Sequence, residues 1–203
     1  KQAMSLDVFL GFLPYFFIVS YTPGPANLYS MDLGMKYGMK TYFKVYAGLF
    51  SAYLVIVITA AFLSYQFERY LPALMKALTL FGVFYIFWLA FQILKSEGVK
   101  PTEVPDILAD FWSCFKIGFL LNMANVKIMI FCVSLFQLYF LHYYHTLPAL
   151  LLWCLPIAFF SSSSTFLWAI MGSRLSKTYN RHHRIINPIM SGMLALCAVG
   201  LLH

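Results

Sequence analysis

The sequence predicts an all-α integral membrane protein of six transmembrane helices. They form two inverted three-helix repeats, the first helix of each half broken near the midplane. Three observations lead there. Of 203 residues, 62% are hydrophobic and only 10% charged, against about 45–50% and about 25% in ordinary globular domains. The apolar residues fall into six runs, each near the roughly 20 residues that cross a hydrocarbon core. The basic residues gather on alternate connections. This composition cannot cover a water-soluble surface, so the net charge of +7 is not a nucleic-acid signal.

The predicted spans are residues 8–34, 43–65, 71–94, 115–140, 147–172 and 185–202. The one long polar connection, "KSEGVKPTEVPDILADFWS", covers residues 95–113. The organisation expected is a single transmembrane domain, 1–203: a first repeat over 1–94, a cytoplasmic loop over 95–113 and a second repeat over 114–203. No cleavable secretory signal is expected, and Met4 is the expected natural start.

Charge orients the bundle. Lys36, Lys40 and Lys44 follow the first span; Lys95, Lys100 and Lys116 follow the third; Arg174, Lys177, Arg181 and Arg184 follow the fifth. These are ten of the fourteen Lys and Arg residues, and the other side carries only Lys1, Arg69 and Lys76. The positive-inside rule makes the richer side cytoplasmic and puts both termini outside. Three spans per half invert the second half relative to the first, as in many secondary transporters. "GFL" recurs at Gly11 and Gly118, too little by itself to establish a repeat.

The first span contains Thr22-Pro23-Gly24-Pro25, then Asn27. Both prolines lack a donor and obstruct the preceding turn, so carbonyls near Val19 and Tyr21 should lose their partners. Unpaired backbone groups are costly in lipid, so this segment must face protein or a watery cavity. A helix restarting near Pro25 would offer free N–H groups and a positive dipole end, which suit a carboxylate. The bland alternative is a proline kink.

In the fourth span, "GFLLNMANVKIM" carries Asn122, Asn125 and Lys127. Pro23 lies roughly 22 Å from the outer end and this cluster roughly 10–18 Å from the cytoplasmic end, at 1.5 Å per residue. Both depths reach the midplane region of a core about 30 Å thick. Lys127 would meet a substrate carboxylate or Asp32; the alternative is a snorkelling lysine. Asn122 and Asn125, at i and i+3, share a face and serve the site or helix–helix hydrogen bonding.

Other features are weaker. Of the acidic residues, only Asp32 falls within a span, near its cytoplasmic edge, which makes it the proton-coupling candidate or an interfacial residue. Ser161 to Ser164 and Thr165 suit close packing, back-bonding to their own helix or a cavity lining. Gly34/Gly38 and Gly48/Ala52 have small-xxx-small spacing, which favours close packing within the bundle over a dimer face. Cys114, Cys132, Cys154 and Cys197 form no C-x-x-C pair and read as packing residues. His142 and His145 make a poor metal site.

"TPGPANLYSMDLGMKYG", followed by Gly48, resembles the N-terminal signature of the LysE/RhtB amino-acid exporters. "FGVFYIFWLAFQILKS", "FWSCFKIGFLLNMANVKIMIF" and "LWAIMG" resemble that family's third, fourth and fifth spans. Two departures stand out. The family's usual N-P-K is Asn125-Val126-Lys127 here, a form similar to the cysteine/O-acetylserine exporter branch. Ala26 stands where the family often has Asp or Asn.

The resemblance implies a secondary transporter in the bacterial cytoplasmic (inner) membrane. It would export small amino acids, cysteine/O-acetylserine-like or otherwise neutral, from the cytoplasm by proton antiport. The implied partners are the substrate, protons and membrane lipids, without nucleic acid; oligomeric state is left open. No catalytic residue, metal or cofactor is expected. The matched site residues are Thr22, Pro23, Gly24, Pro25, Asn27, Asn125 and Lys127, with Asn122 added from its position. A membrane thiol–disulfide electron carrier and a passive amino-acid channel are the alternatives.

Overall fold

A computed structural model describes residues 6–66, 80, 83–84, 86–91, 93–95 and 106–200. Most of the predicted third span, residues 96–105 of the polar connection and both chain ends lie outside them. The elements are α1 (Leu6–Tyr21), α2 (Pro25–Gln66), α3 (Asp106–Ala109), α4 (Phe111–Met123), α5 (Val126–Leu135), α6 (Leu147–Arg174) and α7 (Ser176–Gly200). A π turn, Phe136–Phe140, extends α5. Every regular element among the described residues is helical.

The predicted first span is α1, a break at residues 22–24, and the start of α2. The basic loop expected after it is not a loop. The chain stays helical except at Gly38 (φ 73, ψ 178), a backbone conformation open to glycine and to few other residues. This one residue divides the 42 residues of α2, which as a straight rod would measure about 63 Å, twice a hydrocarbon core. Lys36 and Lys44 therefore sit on helix. Lys36 pairs with Asp32 one turn earlier at 2.8 Å, and Lys44 Nζ donates to the Ala109 carbonyl at 2.6 Å.

The polar connection also folds sooner than predicted. Asp110 caps α4 by accepting from the Ser113 N–H at 2.8 Å, so the helix starts at Phe111 rather than 115. α7 likewise begins at Ser176, within the stretch expected to be a basic loop, and is interrupted at His182 (φ −128, ψ 22).

Among the described residues, α2 and α6 are long and apolar enough to cross a membrane, and α4 with α5, bent by 59°, has the form of a broken span or a re-entrant loop. Apolar side chains cover the outside: Phe84, Leu152 and Leu196 are 75%, 77% and 74% exposed. Water would not tolerate that surface, whereas lipid does.

Backbones approach closely at two crossings. A Cβ on Gly48 would lie 2.0 Å from the Phe115 carbonyl oxygen, and one on Gly118 would lie 2.1 Å from that of Val45. Gly34 meets the Ala169 carbonyl and Gly172 that of Met31 in the same way. α2 is thus locked against α4 by one reciprocal pair and against α6 by another. The packing expected of Gly34 and Gly48 is realised; Gly38 instead forms the turn.

There are two apolar cores. One holds Ala26 to Leu49 of α2, Cys114 and Leu121 of α4, and Ala169 of α6. The other holds Phe12 and Phe16 of α1, Tyr53 to Ala61 of α2, Ile128 to Phe140, and Leu150 to Ala158 of α6. α1–α2 passes from one core to the other at 22–27, α2 at 49–53, α4–α5 at 121–128 and α6 at 158–169.

Candidate functional site: a cavity at two helix breaks

The break after α1 strands carbonyls at the end of the helix, and side chains supply donors to them. Thr22 Oγ1 donates to Val19 O at 2.9 Å. Asn27 Nδ2 donates to Ser20 O at 3.0 Å and to Thr22 O at 2.9 Å. Trp168 Nε1 donates to Tyr21 O at 3.1 Å. Lys127 Nζ donates to Thr22 O at 3.1 Å, Pro23 O at 3.2 Å and Thr22 Oγ1 at 3.0 Å. The stranded carbonyls predicted around Val19 and Tyr21 are there, and each has its own donor.

α2 restarts at Pro25, whose missing N–H costs nothing at a first helical position. Leu28 N already bonds to Gly24 O at 2.9 Å. The N–H groups of the first turn have no intrahelical acceptor and carry the positive end of the dipole. Gly24 leaves space: a Cβ there would fall 2.9 Å from Lys127 Cδ and 3.0 Å from Nζ.

The second break lies at Ala124 and Asn125. It forms without a proline, since Val126 occupies the position where the resemblance sets one. Asn125 N bonds to Asn122 O at 2.9 Å, a tightened last turn, and α5 begins at Val126. The two asparagines consequently do not share a face. Asn122 Nδ2 donates to Leu49 O at 2.8 Å and holds α4 to α2. Asn125, 2% exposed, lines the cavity, and its Oδ1 has no partner among the described residues.

Between the breaks lies a cavity of about 30 Å³, lined by Ser20, Asn27, Tyr53, Asn125, Lys127 and Ser164 among others. That is room for a water or two. α6 supplies its far wall. Ser164 Oγ donates to Asn27 Oδ1 at 3.1 Å, and Ser161 Oγ shares a hydrogen bond with Ser20 Oγ at 3.0 Å. Ser164 and Thr165 also bond back to Ser161 O and Ser162 O, both at 2.7 Å. The serine run is thus packing, back-bonding and lining together.

The predicted site residues fall into three groups. Gly24, Asn27, Asn125 and Lys127 line the cavity. Thr22 and Pro23 hold the Lys127 ammonium, while Pro25 starts α2. Asn122 and Asp32 do not line it; Asp32 is paired with Lys36, not Lys127. Sequence reasoning did not single out Ser20, Tyr53 or Trp168, whose roles depend on which helix lies opposite.

Comparison with known proteins identifies the family. The profile of the LysE type translocators matches residues 17–203, taking in both breaks and α6. The chain belongs to the LysE family. LysE-family relatives named cysteine/O-acetylserine efflux protein match across nearly their full length. That of Escherichia coli (strain K12) is 26% identical over 199 residues, 97% of this chain and 98% of the relative. Those of Salmonella choleraesuis (strain SC-B67) and Salmonella paratyphi A (strain ATCC 9150 / SARB42) are 26% and 27% identical, covering 93% of this chain and 94% of each relative. No solved structure matches the chain.

Proposed function

We propose that this LysE-family protein exports small amino acids from the cytoplasm by proton antiport, with the cavity between the two breaks as its substrate site. One observation carries the reading: opposite poles of a broken helix face the same small space. The carbonyl end of α1 suits an ammonium, and the N–H ends of α2 and α5 suit a carboxylate. A zwitterion presents both charges a few ångströms apart, as this pair of poles requires. Asn27 and Asn125 add groups that donate and accept.

The full architecture on this reading is six spans in one domain, two inverted three-helix halves with both termini outside. One half rocks against the other to open the cavity to each side in turn. The setting is the bacterial inner membrane. The named relatives favour cysteine- or O-acetylserine-like substrates. The deciding experiment is efflux from vesicles loaded with labelled alanine, serine, cysteine, threonine, leucine, lysine or arginine, with and without a pH gradient. Small neutral amino acids should leave faster with the gradient; if none of the seven moves, the exporter reading is wrong.

A further inference from the structure

We infer that the Lys127 ammonium is a tethered substitute for the ammonium of the substrate. It occupies the carbonyl seat at the α1 break while the cavity is empty, and leaves when a zwitterion arrives. The inference rests on the exporter reading and adds a rule of selectivity to it.

The seat is built for a primary ammonium. Thr22 O, Thr22 Oγ1 and Pro23 O lie 3.0–3.2 Å from Nζ, and an ammonium has three donors. The oxygens stand at the carbonyl end of α1, where the helix dipole favours a cation. Gly24 admits the lysine stem and ammonium; a methyl group there would crowd Cδ and Nζ. No carboxylate lines the cavity, and Asp32 is occupied by Lys36.

Two further observations point to a ligand. The cavity, about 30 Å³, holds a water or two, and Lys127 lines it, so an entering amino acid meets its ammonium. Asn125 Oδ1, buried and without a partner among the described residues, is an acceptor on the cavity wall, as a second ammonium contact needs. A substrate ammonium entering the seat displaces Lys127. Its flexible stem then carries the charge to the substrate carboxylate, held at the N–H ends of α2 and α5.

One side chain thereby reads both ends of the substrate. An amine without a carboxylate must evict Lys127 and gives its charge nothing in return. An acid without an ammonium leaves the seat to Lys127. Both are refused, and only a molecule bearing both charges exchanges one set of partners for another.

The test is equilibrium binding to the purified full chain, with serine, ethanolamine (serine without its carboxylate) and propionate as probes. Wild-type protein should bind serine, and ethanolamine and propionate at least about tenfold more weakly. Lys127→Met vacates the seat, and ethanolamine should bind the folded variant about tenfold more tightly than wild type. Lys127→Gln, which keeps a neutral donor of similar length, should show a smaller gain and serves if the methionine variant does not fold. Ethanolamine binding wild type as well as serine does, or gaining nothing in a folded variant, overturns the inference and leaves the exporter reading intact. Gain of ethanolamine in Lys127→Met, with no amino acid moved in the vesicle assay, sinks the exporter reading and leaves the seat.

Discussion

Asn27 shows how one side chain makes a helix break tolerable. Its amide nitrogen serves two stranded carbonyls while its oxygen accepts from Ser164. Asn27→Leu should therefore cost about 1–3 kcal/mol for each group left unpaired, read as a fall in melting temperature in detergent. Lys127 faces the same backbone with a charge, and its role is tested differently. Lys127→Met should still insert and fold but should abolish efflux. Normal efflux by that variant would remove Lys127 from the site. Asp32, by contrast, is buried beside Lys36 and close in the chain to the tight contact at Gly34, away from the cavity.

At the scale of elements, glycines decide where helices meet. Gly48→Ala or Gly172→Ala places a methyl on a carbonyl of the neighbouring helix, and overpacking of this kind costs about 1–3 kcal/mol. A Cβ on Gly192 would meet nothing within 4 Å among the described residues, so Gly192→Ala should leave the melting temperature unchanged or raise it. A larger fall for Gly192→Ala than for the other two would contradict these crossings. The cap of α4 responds to pH instead. The Ser113 backbone N–H, with its hydroxyl next, holds the Asp110 carboxyl below the ordinary carboxylate range. A depressed value stabilises the fold above the ordinary carboxylate pKa, and the stabilisation is lost as pH falls through the depressed value. The melting difference between wild type and Asp110→Ala should accordingly be present at neutral pH and shrink in acid.

The molecule as a whole is a polar layer between two apolar cores. Lys127, hydroxyls and amides fill the level at which α1–α2, α4–α5 and α6 all change core, and apolar side chains face outward. Cysteine placement bears on the rival electron-carrier reading. Cys132 and Cys154 face successive turns of α2, beside Tyr53 and Val57, a proximity that their 22-residue separation concealed. Both are buried free thiols, and thiol exchange needs access. Replacing all four cysteines by serine should leave efflux intact; its loss, with the protein still folded, would favour thiol chemistry.

Composition, apolar run length and the prolines determined the membrane class, the helical character and the two broken stretches. Those features depend on local rules: apolar length, the missing donor of proline, the avoidance of buried charge. The sequence misplaced what depends on a single dihedral or a distant neighbour. Gly38 replaced a loop because one glycine at positive φ turns the chain between two helical segments. The bend at Asn125 formed without proline and sent Asn122 to the Leu49 carbonyl, undoing the shared face that an unbroken helix would give. Only the tertiary structure decided that Trp168 and Ser164 of α6 complete the first break, and that Lys127 rests on carbonyls. Those partners lie 100 residues or more away in the chain, where no local pattern reaches; the packing of α5 and α6 against α1 and α2 brings them together.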